Sequence, residues 1–391
     1  MRVLMLAWEF PPRSAGGAAA HVDGLSQALG RAGHEVIVLT VGHPGAVFDQ
    51  HDGTVRVLRA HVELPWIPDD DVTTRAASAN HHLVQLTVSL GGWVPDVVHA
   101  HDWHVAWAAS TLAVLHDVPL VTTFHATMRS GHGGSIPRGA PSTIHAVESW
   151  LAHSSQQVLA PSKFMANEVI GGFELSPERV HRVPNGIDPT WWSAGEHPDG
   201  RLPLVLTWGR VQYEKGFQVL AQAMSNLRSR VANVECLIAG RGSYLPELQS
   251  QVDIEGVSDI VRLVGYLPDE RLRDTIHRAG CVAIPSLYEP FGIVALEALA
   301  GGAPLIAART GGLAELIDGT GAGLLFEPGN ADELGTCIEM VLSDIELADE
   351  MRARGAALLA ARYSWAAIAG ATTRIYTGAS PADTDAHLTP A

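Results

Sequence analysis

A chain of 391 residues exceeds what one ordinary hydrophobic core serves, so two domains are the expectation. With 47% hydrophobic residues, 39 Gly and 23 Pro, it reads as globular and loop-punctuated rather than disordered. The formal charge of −16, from 26 Lys and Arg against 42 Asp and Glu, comes with no basic run, which argues against general binding to nucleic acid or to an anionic membrane.

The first forty residues read strand, turn, helix, strand. "RVLMLAW" is a continuous apolar run suited to a buried parallel strand. "PPRSAGG" has turn chemistry, "AAAHVDGLSQALGRAG" has helical spacing with a Gly stop, and "HEVIVLT" is the next strand. The alternation continues with "PDVVHAH", a helix over Trp103–His116, "VPLVTTFH", a helix around Ile144–Ala152, "SQQVLAPS" and "RVHRVPNGID". A Pro/Gly/Trp-rich interruption, "GIDPTWWSAGEHPDGRLP", precedes a second set: "LPLVLTWGR", "NVECLIAG", "DIVRLVG", "GCVAIPS", "APLIAA" and "GAGLLFEP".

Strands alternating with helices predict parallel sheets covered on both faces. Two such sets predict two doubly wound, Rossmann-like α/β domains facing each other across a cleft. The boundaries expected are 1–186 for the first domain and 187–362 for the second. The final helical stretch, 363–378, could pack on either domain and is assigned to the first; 379–391 is expected to be a disordered tail. Cys236, Cys281 and Cys337 are scattered and odd in number, two of them in apolar runs, and read as reduced thiols. The opening apolar run meets Glu9 too early for a signal peptide, and no apolar span reaches about 18 residues, so a cytoplasmic protein without an integral membrane segment is expected.

In open α/β sheets ligands bind beyond the carboxyl ends of the strands. His101, Asp102, His125, Arg210 and Glu289 all fall there. Gly16-Gly17, between the first strand and first helix, would let backbone amides approach an anion, or would simply make the turn. "HAHDWH" (His99, His101, Asp102, His104) invites a metal reading, but no second cluster of ligands with recognisable spacing accompanies it. A cleft wall, with Asp102 capping a helix, is preferred, and no metal is expected.

"GRVQYEKG" offers Arg210 as a fork and Lys215 as a point charge for a diphosphate; the plain alternative pairs Lys215 with Glu214 in an exposed loop. "AGRGS" adds Gly240 and Gly242, a weak glycine signal. "SLYEPFGIVALEALAGG" places Glu289 in a loop and Glu297 about a turn inside the following helix, where carboxylates can meet sugar hydroxyls near a helix N-terminus. A glycosidase acid pair is the rival reading, but it has no need of the two cations.

These motifs together resemble a retaining glycosyltransferase of the GT-B architecture, glycosyltransferase family 4, over nearly all of residues 1–378. The resemblance rests on "GG" at 16–17, "HAHDW" at 99–103, "TFH" at 123–125, "APSKFMANEV" at 160–169, "PNGID" at 184–188, "GRVQYEKG" at 209–216, "EPFGIVALEA" at 289–298 and "TGGLAE" at 310–315. It implies that Arg210 and Lys215 hold the donor diphosphate, Glu289 contacts the transferred sugar, and Glu297 the ribose. His125 would touch the donor sugar. Amides of Gly311, Gly312 and Leu313, with Gly16-Gly17, would cap phosphate or sugar. No metal or other cofactor is implied, and no enzyme nucleophile, because retention is ascribed to front-face attack.

"HAHDWH" and "TFHATMRSGHGGSIPRG" look most like the bacterial glycogen-synthase and α-1,4-glucan-synthase branch, which implies glucose. Ser14 stands where ADP-glucose users carry the lysine of K-x-G-G, which leaves UDP-glucose ahead of ADP-glucose. Acceptor contacts are assigned to the loop Met128–Pro141. The implied partners are a nucleotide-sugar donor and a carbohydrate acceptor. The alternatives are a mannosyl- or hexosyltransferase acting on a small molecule or lipid, a nucleotide-sugar epimerase or hydrolase of the same fold, and a pure binding protein.

Overall fold

A computed structural model describes residues 1–12, 17–43, 45–129, 136, 139–193 and 201–379. The chain divides into two compact units, Met1–Asn185 with Trp365–Ala391, and Gly186–Ser364.

Unit 1 is built on an eight-stranded sheet: β1 (Arg2–Ala7), β2 (Glu35–Val41), β3 (Asp49–Asp52), β4 (Val55–Ala60), β5 (Val97–His101), β6 (Leu120–Thr123), β7 (Gln157–Ala160) and β8 (Val180–Arg182). Their order is β3-β4-β2-β1-β5-β6-β7-β8. All pairs are parallel except β3–β4. The apolar runs explain the centre: Val3 to Leu6 and Val97 to Ala100 are fully buried, as strands covered on both faces require. The β3–β4 hairpin was not anticipated from sequence. β3 is the polar run "DQHD", and it holds the sheet edge through the paired bonds of Arg56 to Asp49, 3.0 and 2.8 Å.

The helix Trp365–Gly378 belongs to unit 1, where Ile368, Ala369 and Tyr376 join the core formed by Val22, Leu25 and Leu29 of the helix Gly17–Arg31. Close approach depends on Gly24. A Cβ there would sit 2.1 Å from the Trp365 ring, so no larger residue fits. The Tyr376 hydroxyl is buried against His99, 2.7 Å from Nδ1.

Unit 2 has a six-stranded, all-parallel sheet: β9 (Leu202–Trp208), β10 (Glu235–Ala239), β11 (Val261–Gly265), β12 (Ala279–Ile284), β13 (Leu305–Ala308) and β14 (Gly323–Phe326). The order is β11-β10-β9-β12-β13-β14. Crossover helices cover both faces, and separate cores form on each side, one around Leu220, Met224 and Ile338, the other around Ile276, Leu296 and Leu316. Cys236, Cys281 and Cys337 are free and buried. Among the described residues no helix is long and apolar enough to cross a membrane.

Tyr376→Phe removes the partner of a buried imidazole nitrogen while keeping the ring's packing. It is expected to cost about 1–3 kcal/mol in urea unfolding at neutral pH; an unchanged midpoint would show that the hydroxyl does not anchor this helix.

Candidate active site

In unit 2 the polar residues gather at the carboxyl ends of β9, β12 and β13. β9 ends at Trp208; Gly209, with φ of 147°, turns the chain, and Arg210 follows exposed. Among the described residues no carboxylate pairs with the Arg210 side chain. Gly240 and Gly242 have a definite packing role here. A Cβ on Gly240 would meet the Gly209 carbonyl oxygen at 1.8 Å, and one on Gly242 the Val211 carbonyl oxygen at 2.0 Å. Amide bonds from Gly209 to Ala239 and from Val211 to Arg241 tie the two loops together. The two glycines thus buttress the backbone that carries Arg210.

Lys215 pairs with Glu289, not with Glu214. Its Nζ donates to Glu289 Oε2 at 2.7 Å, with both side chains largely covered. The Ser286 hydroxyl adds a longer bond of 3.4 Å to the same oxygen. The Glu214 carbonyl instead accepts from the Leu287 amide at 2.8 Å. Gly216, at φ 68°, fits because a Cβ would lie 1.8 Å from the Pro285 carbonyl oxygen.

Glu297 lies in the second turn of the helix Ile293–Ala300, where it accepts from Trp208 Nε1–H at 2.9 Å. Burial pushes this carboxyl up to about 7; the indole hydrogen bond opposes that shift, and the charge of Asp269 adds to it.

The amides expected to cap phosphate or sugar, those of Gly311, Gly312 and Leu313, follow the end of β13. At the start of the helix Gly311–Ile317, the Gly312 amide already donates to the Glu289 carbonyl at 3.0 Å, and the Leu313 amide to Thr310 at 3.1 Å. Only the Gly311 amide is without a backbone partner among the described residues. Gly312 has to be glycine because a Cβ would meet the Phe291 Cα at 2.4 Å.

Unit 1 holds a second polar cluster, and sequence reading missed its key member. His101 at the end of β5 and His125 after β6 stack with ring centroids 5.5 Å apart, His101 Nδ1 lying 3.2 Å from His125 Nε2. His21, from the helix Gly17–Arg31, closes on both, its ring centroid 4.7 Å from that of His125 and 5.6 Å from that of His101. His99 is buried next to His101 and fully bonded, to Tyr376 and to Thr123 Oγ1 at 2.8 Å. Burial holds His21, His99 and His101 well below the ordinary imidazole range, with neighbouring imidazoles adding to it; burial brings His125 down to about 4. All four are neutral near pH 7.

Asp102 does not cap a helix. It sits at φ 60°, and its Oδ1 accepts from the His125 amide at 2.8 Å, which places His125. Burial raises its carboxyl to about 6, against the hydrogen bonds it receives. Glu148, 1% exposed, accepts from the Met128 amide at 2.9 and 3.1 Å and so fixes the other end of the same loop. Burial pushes it up to about 8, the Met128 amide opposing and the charges of Asp102 and Glu168 adding. Gly17 begins its helix. Gly16, residues 130–135, 137 and 138 of the expected acceptor loop, and 380–391 of the tail lie outside the described residues.

Two family models cover the chain: Glycosyltransferase Family 4 matches residues 15–191 and Glycosyl transferases group 1 matches residues 192–357. The glycogen synthase of Mycobacterium tuberculosis is 35% identical over 394 residues, covering 97% of this chain and 95% of the relative. The chain belongs to glycosyltransferase family 4. The alpha-maltose-1-phosphate synthase of the same species is 30% identical, covering 96% of this chain and 99% of the relative. The sucrose-phosphate synthase of Thermosynechococcus elongatus has the same fold, with a TM-score of 0.83 at 22% identity over 96% of this chain and 98% of that one. This glycosyltransferase therefore has the GT-B fold of two Rossmann-like units, each with the parallel sheet expected from its alternating strands and helices.

Glu148 gives a pH signature. Its carboxyl holds a proton to about pH 8 in the folded chain but ionises near 4.5 when unfolded. The unfolded chain therefore loses the proton first, and stability falls as pH rises from about 4.5 to about 8. Glu148→Gln is expected to flatten that part of the stability–pH curve; an unchanged slope would mean that Glu148 is ionised in the folded protein.

Proposed function

We propose that this glycosyltransferase transfers glucose from a nucleotide-diphosphate sugar, UDP-glucose ahead of ADP-glucose, to an α-1,4-glucan or oligosaccharide, with retention at the anomeric carbon. The observation that carries this reading is the 35% likeness to a glycogen synthase along 97% of the chain. In the same chain Lys215, Glu289 and Glu297 converge on one end of the unit 2 sheet, Lys215 and Glu289 as an ion pair.

In this reading the donor's diphosphate lies over Arg210 and Lys215. The bond from C1 of the sugar to the diphosphate oxygen breaks, and the acceptor hydroxyl oxygen bonds to C1 on the same face. The hydroxyl proton passes to the departing diphosphate. Charge grows on that leaving group; Lys215, held in place by Glu289, stabilises it without reorganising, and exposed Arg210 adds a second cation that closes on the diphosphate when it binds. No protein nucleophile or metal is needed for such a step. Glu289, held by Lys215, is oriented to accept from sugar hydroxyls, and Glu297 from the ribose. His125, a neutral ring fixed through its backbone by Asp102, meets the donor sugar. This reading keeps the cytoplasmic location expected from the sequence.

A second acceptor class is favoured by the 30% likeness to an alpha-maltose-1-phosphate synthase, whose name points to a phosphorylated sugar product.

The test is incubation with UDP-glucose, ADP-glucose or GDP-mannose, each with malto-oligosaccharides or glucose 1-phosphate, followed by NMR. Growth of an α-1,4 chain is expected. A maltose 1-phosphate product would move the acceptor to the phosphorylated class, and a mannosylated product would overturn the sugar. Lys215→Ala is expected to lower kcat/KM by at least about a hundredfold with the fold intact by circular dichroism; near-normal transfer would remove the diphosphate role.

A further inference from the structure

Of the three clustered imidazoles of unit 1 only His125 has a part in the proposed transfer, which gives no task to His21 and His101 packed against it. His21 and His101 are each 3% exposed, and one nitrogen from each of His21, His101 and His125 lies within 4.8 Å of the others. Buried imidazole nitrogens are normally hydrogen-bonded. Here neither ring nitrogen of His21 has a hydrogen-bond partner among the described residues. The Asn185 side chain faces His21, and its buried Oδ1 is likewise without a partner of normal geometry.

We propose that His21, His101 and His125 bind a divalent transition-metal ion of the zinc class, with Asn185 orienting His21. Two nitrogens on a tetrahedral ion with bonds of about 2.0–2.1 Å stand about 3.3 Å apart. His101 Nδ1 and His125 Nε2, at 3.2 Å, already have that spacing. His21 has to approach by at most about 1.5 Å, the difference between 4.8 Å and that edge. Three imidazoles with an open fourth position match borderline ions such as Zn²⁺ and Co²⁺ and do not match Mg²⁺ or Ca²⁺, which take oxygen.

The surroundings agree with this assignment. A ligating histidine usually donates its second N–H to an oxygen that fixes the ring, and Asn185 Oδ1 is an acceptor in the right place for His21. His101 is backed by the ring of His99, 4.2 Å away, which Tyr376 and Thr123 hold. His125 is half-buried beside exposed Ala126, which gives an ion a way in. Without metal, His101 and His125 can share one proton across their 3.2 Å contact. Binding requires both lone pairs at that contact, so the proton moves to the other nitrogen of its ring or leaves to solvent.

The test is titration of the chelator-stripped full chain with Co²⁺, read by visible d–d absorption, with Zn²⁺ as competitor. One equivalent is expected to give the intense bands of a low-coordinate site, bleached by one equivalent of Zn²⁺. His21→Ala and His125→Ala are each expected to weaken Co²⁺ binding at least about a hundredfold, and Asn185→Leu about tenfold. Should His21→Ala fail to fold by circular dichroism, half-buried His125 supplies the reading. Weak octahedral bands, or a titration that His125→Ala leaves unchanged, would overturn the proposal and assign any bound ion to others of the 19 histidines.

Discussion

The Lys215–Glu289 ion pair is the interaction around which the unit 2 loops are arranged. Its two partners come from loops after different strands, β9 and β12, and both are largely shielded from water. A shielded charge is costly alone and is tolerated when paired. The pair therefore locks two loops whose backbones are already pinned by the Glu214–Leu287 hydrogen bond and by the fit of Gly216 against Pro285. The Glu289 carbonyl extends the lock to a third loop through the Gly312 amide. Arg210, by contrast, stays exposed and uncommitted among the described carboxylates, so the two cations offer a ligand one fixed and one adaptable charge.

The glycines follow from this close packing of backbones. Gly216, Gly240, Gly242 and Gly312 each face a carbonyl oxygen or a Cα nearer than any Cβ could tolerate. Their first duty is to bring loops together, and any contact with a ligand is secondary to that. The same principle operates in unit 1, where Gly24 admits the ring of Trp365 and lets the last helix join the first core.

Unit 1 manages buried polarity differently. It holds neutral imidazoles side by side, which costs less than burying charge. Acids stand behind them as backbone acceptors: Asp102 holds the amide of His125 and Glu148 that of Met128. The two carboxyls clamp both ends of the short segment that follows β6, and burial raises the proton affinity of each.

Much of this was legible in the sequence. Uniform apolar runs such as "RVLMLAW" and "PDVVHAH" identified buried parallel strands, because only a strand covered on both faces lacks polar alternation. The motif order carried the family, and "EPFGIVALEA" placed Glu289 in a loop and Glu297 in a helix. The β3–β4 hairpin escaped because its outer strand is polar and is held by an edge ion pair rather than by burial. The partner of Lys215 and the duty of Asp102 escaped for a related reason. Each is a contact between residues 74 or 23 positions apart, set by which strands lie side by side. His21 shows the limit most clearly: on its helix it is one polar residue in an amphipathic pattern, and only the neighbourhood of β5 and β6 in the sheet sets it against His101 and His125. Local patterning reports burial and turn chemistry because those depend on near neighbours, whereas side-chain pairing depends on strand order, which only the assembled sheet decides.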